Sequence, residues 1–156
     1  MASSIQIFDS FYLVMAQKKL DLESDTLKVM LLTDAYTPDL ANHAVIADIT
    51  GLSPNPEVES IASPDNGYTQ GGEALQNVTV TQSGSPLRTK LDADDTTFLA
   101  LTAEFRYAVI WDETSADQDV LFLITFDTTP ANITISGIDF IVRWSTDGIV
   151  DWGLAA

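Results

Sequence analysis

The sequence predicts a mainly β protein: an antiparallel β-sandwich, jelly-roll-like, with one or two short helices near its start. Three observations carry this. Short apolar runs follow one another from residue 75 to residue 152 with no helical pattern between them. The segments separating those runs are built of Asp, Thr, Ser and Gly, which favour turns. The chain has 156 residues, 46% hydrophobic and only 19% charged, which suits a single domain with one packed core.

Taken in order, residues 5–17 read as a short amphipathic helix, because Ile7, Phe11, Val14 and Met15 recur at roughly helical spacing. They belong to an N-terminal segment, residues 1–25, that ends in an acidic connection, Asp21 to Asp25. The next run is continuously apolar from Val29 to Leu32, which predicts a strand buried on both faces. A second short helix is expected over residues 40–49, where Leu40, Ala44, Val45 and Ile49 share one side after a start signal at Thr37-Pro38-Asp39. Residues 51–72 carry Pro54, Pro56, Pro64 and four glycines, and form a long loop.

Beyond the loop, residues 75–81 and 87–91 alternate in polarity around the turn Ser83-Gly84-Ser85-Pro86, the signature of a hairpin. Further strands are expected at residues 97–101, 105–111, 120–126, 133–135 and 140–144. Residues 149–152 follow the turn at Asp147-Gly148 and are expected to pair with 140–144. The core should include Leu31, Val78, Val80, Phe98, Val109, Leu121, Leu123, Phe140 and Val142.

Charge narrows the function. Against 23 acidic residues stand 7 basic ones, a formal charge of −16, whose field repels phosphate backbones and anionic lipid; neither nucleic acid nor a membrane is an expected partner. No stretch approaches the ~20 apolar residues of a membrane span. The residues from Met1 lack a basic region followed by an apolar one, so export by the usual signal is not expected. The absence of cysteine removes disulfides, thiolate nucleophiles and thiolate metal ligands.

Catalytic motifs are equally sparse. The lone histidine, His43, has no Gly-x-Ser-x-Gly elbow to serve, and reads as a surface or helix-capping residue. The run Gly67-Tyr68-Thr69-Gln70-Gly71-Gly72 mimics a phosphate loop, yet Glu73 follows where a lysine would be needed. Asp92, Asp94 and Asp95 offer hard oxygen ligands of the kind Ca²⁺ takes, but their spacing also suits a solvated turn, as does that of Asp112, Glu113, Asp117 and Asp119. Neither a cofactor nor an enzymatic activity is expected, and no pair of carboxylates is singled out for glycoside hydrolysis. The sequons at Asn77 and Asn132 fall in expected strands and read as chance matches. Of the aromatic residues, Tyr107, Trp111, Phe122, Phe126, Phe140 and Trp144 read mainly as core, although a solvent-facing Trp111 or Trp144 in a groove would suit a glycan.

Three segments in fixed order resemble a known group: Leu20 to Leu32 (LDLESDTLKVMLL), Gly67 to Leu75 (GYTQGGEAL) and Tyr107 to Asp112 (YAVIWD), followed by a β-rich end. Together they are similar to small virion structural proteins of tailed bacteriophages, of the head decoration or cement type. The resemblance implies a β-sandwich module on the virion surface with no catalytic residues to carry over. It implies as partners a major capsid protein or other virion proteins, and as alternative role a tail or fibre module that docks virion proteins or binds host glycan. A protein of this kind, made in the host cytoplasm and placed on the capsid, is expected to be a small homo-oligomer, with loop 51–72 and the N-terminal segment as extensions. Its contacts are expected among Tyr68, Gly71, Gly72, Trp152 and Leu154, large apolar groups and adjoining glycines in segments that strands do not claim. Between interface and core, the reading favours interface for Tyr68 and core for Trp152.

Overall fold

The computed structural model describes residues 3–84, 88–126 and 132–152. It is mainly β, with two short helices and antiparallel sheets in a sandwich-like arrangement. The elements are β1 (Ser3–Ile7), α1 (Ser10–Ala16), β2 (Leu27–Leu32), α2 (Ile46–Thr50), β3 (Glu73–Ala74), β4 (Thr79–Ser83), β5 (Arg88–Asp92), β6 (Thr96–Phe105), β7 (Tyr107–Asp112), β8 (Val120–Phe126), β9 (Ile133–Val142) and β10 (Val150–Trp152).

A five-stranded sheet in the order β1-β8-β7-β2-β3 forms the central layer. Its inner strands read as unbroken apolar runs because both faces are covered. Val29 and Leu31 of β2 point into one cluster with Ile110, Phe122 and Ile124, whereas Met30 and Leu32 point into another with Val109, Trp111 and Leu123. The first cluster is closed by the ribbon β6-β9 and the sheet β10-β5-β4, the second by Phe8, Tyr36, Ile46 and Ile49. Burying each such side chain is worth about 1.5–3 kcal/mol, so a sheet buried on both sides dominates the stability of the molecule.

Several expectations need correction. Residues 5–17 are not one helix: Ile5 and Ile7 alternate with exposed Gln6 and pair with Ile124 and Phe122, so a strand precedes the helix. Two apolar residues at spacing two fit either pattern, and the waiting edge of β8 decides between them. The second helix is only five residues long, since the carboxylate of Asp48 accepts the Ala44 and Val45 N–H groups and starts the helix there. Of the strand expected at residues 75–81 only 79–81 lie in a strand, β4; residues 75–78 connect it to β3, and Asn77, with a φ of 51°, turns the chain there. Residues 133–135 and 140–144 are not separate strands, because β9 runs through Gly137 opposite β6 with two irregular steps in register. β10 pairs with β5, Val150 opposite Leu91, and not with residues 140–144. Of the expected core, Val78 and Val80 are only partly buried and pack against the first cluster, whereas Leu31, Phe98, Val109, Leu121, Leu123, Phe140 and Val142 are buried.

Candidate functional site

Loop 51–72 is folded onto β2, which removes it as a free extension. The Thr33 N–H donates to the Pro56 carbonyl and the Val58 N–H to the Leu31 carbonyl. Behind them the carboxylate of Glu57, 8% exposed, accepts the Tyr68 hydroxyl at 3.1 Å, the Gly71 N–H at 2.5 Å and the Gln70 side-chain amide. The Tyr68 hydroxyl in turn accepts the Leu31 N–H at 3.3 Å. Burial, and after it the Glu57 charge, push the phenol's pKa far up, so it stays a donor at any physiological pH.

Tyr68 is 2% exposed and its ring stacks on Phe98. This corrects the expectation that the ring is available to a partner: its polar tip has a buried acceptor eleven residues earlier, so the aromatic body can enter the core. Gly71 and Gly72 serve the same contact. The Gly71 carbonyl accepts the Trp111 indole N–H at 3.0 Å, and Gly72 lies against the backbone of Val29. Trp152 packs edge-on to Phe11, ring centroids 5.5 Å apart, in a hollow also lined by Met15, Leu20 and Val80. Leu154 lies outside the described residues.

The three aspartates of the β5–β6 turn do not converge. Asp92 pairs with Lys90 at 3.0 Å, Asp94 accepts the Asn77 amide at 2.6 Å, and Asp95 accepts the Trp144 N–H at 3.1 Å. Among the described residues no three metal-ligating side chains gather in one place. His43 lies 3.0 Å from the Tyr36 hydroxyl, its ring tilted 34° to that of Tyr36 with centroids 5.6 Å apart.

The β7–β8 turn is a more structured acidic site. Asp112 is fully buried, one of its oxygens accepting the Thr114 and Ser115 N–H groups at 2.8 and 3.1 Å. The other oxygen is buried and accepts no hydrogen bond. The turn is tied to the acidic connection before β2: Glu113 N–H donates to the Thr26 carbonyl, Thr26 N–H to the Thr114 hydroxyl, and Lys28 pairs with Glu113 at 2.6 Å. Burial first, then the neighbouring Asp25 carboxylate, raise the Asp112 pKa to about 6.

A raised acid pKa makes the folded state the better proton binder, so the stability this group contributes is full below its unfolded value near 4 and is lost as pH rises through about 6. Asp112→Asn keeps the oxygen that accepts Thr114 and Ser115 and removes the buried charge. It is expected to stabilise the protein at pH 7.5 by about 1–3 kcal/mol, and to change little at pH 4. Urea unfolding at both pH values checks this; a variant no more stable than the parent at pH 7.5 would contradict it.

Sequence reasoning missed one further feature. A groove of about 400 Å³ opens between β1 and the end of β9. Its floor is Ile124, Phe126, Phe140 and Ile149, and its rim carries Ile5, Ile141, Arg143 and Trp144. Trp144 is half-buried and donates its indole N–H to the Asp94 carbonyl, whereas Trp111 is 5% exposed. The available signal was Arg143 itself, a cation between Val142 and Trp144 in a chain with few cations.

Comparison with protein-family models, with curated proteins and with solved structures gives no match to this chain.

Proposed function

We propose that this chain is a non-enzymatic structural protein of a tailed-phage virion, a jelly-roll-like sandwich module that binds the assembled head and stabilises it. One observation carries the reading beyond the sequence resemblance. Leu99 and Ile138 stand 66% and 60% exposed on the β6-β9 ribbon, beside the irregular step where the pairing Phe98–Phe140 gives way to Leu101–Ile138. Large side chains held outward on an ordered strand pair suit a surface that another protein covers. The remaining surface is strongly acidic at a net −16, which keeps many copies soluble at high local density through mutual repulsion. On this reading the partner is the major capsid protein or a neighbouring virion protein, the protein resides on the capsid surface, and self-association about a local symmetry axis multiplies weak contacts.

Co-sedimentation with empty capsids tests the proposal. The protein is expected to pellet with capsids, and Leu99→Ser with Ile138→Ser to weaken that binding about tenfold or more without loss of fold. A protein that stays monomeric at high concentration and remains in the supernatant would overturn it. The second reading, a tail or fibre module that docks virion proteins or binds host glycan, draws on Trp144 at the groove rim. It predicts pelleting with tails, or retention on glycan, in place of heads.

A further inference from the structure

We propose that the seam between β1 and β9 is a docking site for an extended strand of another protein, apolar at alternate positions and bearing a carboxylate opposite Arg143. The inference goes beyond the virion assignment and does not depend on it.

Backbone pairing supplies the first argument. Among the described residues β1 ends the five-stranded sheet and is bonded only to β8, and β9 is bonded only to β6, so within them each strand has one unpaired edge. Such edges are templates for a further strand. The lining shows that the groove runs along the edge of β9. Phe140, Ile141 and Val142 are consecutive residues of β9, and consecutive strand residues point to opposite faces, so an edge brings all three to one groove, with Arg143 just past the strand's last residue.

The floor supplies the second. Ile124, Phe126, Phe140 and Ile149 form an apolar bed between the two layers of the sandwich, with Ile5, paired with Ile124, at its rim. The cleft, at about 400 Å³, falls in the range of binding clefts and takes the alternate side chains of one short strand.

Charge supplies the third and selects the occupant. The chain has 23 acidic residues, yet among the described residues no carboxylate lines this groove. Four of the seven basic residues, Lys19, Lys28, Arg88 and Lys90, are held in ion pairs. Arg143 is exposed at the groove rim and has no ion pair with any described residue. A guanidinium without an ion pair among the described residues, beside an apolar cleft in a molecule rich in acids, suits an incoming carboxylate on an otherwise uncharged strand.

The probe is a synthetic heptapeptide of alternating threonine and valine with one aspartate at its end, both termini blocked, added to the full-length protein. Saturating peptide is expected to slow amide exchange about tenfold or more at residues 3–7 and 140–143. Arg143→Ala, or asparagine in place of the peptide's aspartate, is expected to weaken binding about tenfold. Ile141→Asp should abolish it; both side chains are exposed, and urea midpoints verify that the variants fold. Should Ile141→Asp fail to fold, Arg143→Ala with the two peptides decides the matter. The proposal is overturned by unchanged exchange at both edges, by binding indifferent to Arg143, or by edges already protected in a concentration-dependent manner, which would make a second copy of this chain the occupant. Only purified protein and peptide are used, so failure here leaves the capsid test independent.

Discussion

Glu57→Ala is expected to destabilise the protein by about 3–5 kcal/mol, read as a fall in the urea unfolding midpoint. The alanine leaves three donors without their acceptor: the Tyr68 hydroxyl, the Gly71 N–H and the Gln70 amide. The first of these sits deep in the core, where water cannot replace the lost carboxylate. Glu57→Gln is the informative control. Its carbonyl oxygen can still serve Tyr68 and Gly71, and the Gln70 amide can rotate to present its own oxygen, giving up the Ser60 N–H it now accepts at 3.4 Å. The glutamine variant should therefore lose only about 1–2 kcal/mol. Equal losses for the two variants would show that the carboxylate's negative charge matters, and neither the side chain's volume nor the acceptor oxygen that glutamine retains.

Gly72→Ala should be comparably severe, at about 3–5 kcal/mol. The residue has φ of +84°, and a β-carbon there would lie 1.9 Å from the Val29 carbonyl oxygen and 2.5 Å from its carbon. Both are backbone atoms of β2, held between β7 and β3 in the buried sheet, and they cannot give way without breaking the Val29–Glu73 pairing of β3. Gly71→Ala provides the comparison. Its φ is similar, +87°, but the nearest atom to an added carbon is the Trp111 ring at 3.4 Å, an ordinary contact. That variant pays the backbone strain alone, about 1–2 kcal/mol. Thermal unfolding of the pair separates the two terms, and equal shifts would refute the steric argument.

What could be read from the sequence was local. The double burial of β2 was visible in the unbroken run from Val29 to Leu32, the ends of β8 in the apolar stretch from Val120 to Phe126, and the β4–β5 hairpin in the turn residues between them. Each signal is written within a few neighbouring residues. Some failures were local too, the short α2 started by Asp48 and the break at Asn77, but the others involve partners outside the window that was read. Ile5 and Ile7 became a strand because β8 lies beside them, and β10 chose β5 although residues 140–144 are nearer in sequence. Tyr68 reads as an exposed loop aromatic until Glu57 is placed under its hydroxyl. Asp112 reads as a turn residue until Asp25, 87 positions earlier, is brought against it. The seam beside Arg143 is made by strands from opposite ends of the chain, so no window of sequence contains it.

The pairing of β1 with β8 also sets the order of events when the chain folds. Ser3 meets Phe126 across 123 residues, whereas β4 and β5 are separated by only the four residues 84–87. Closing so long a loop costs more entropy than closing a hairpin, so the hairpins and the β7–β8 pair are expected to form early and β1 last, an order that pulsed amide-exchange labelling at residues 3–7 checks. Until then the outer edge of β8 and the apolar bed beneath it stay open, and the nascent molecule passes through a stage in which any extended segment of the right pattern competes with its own first strand.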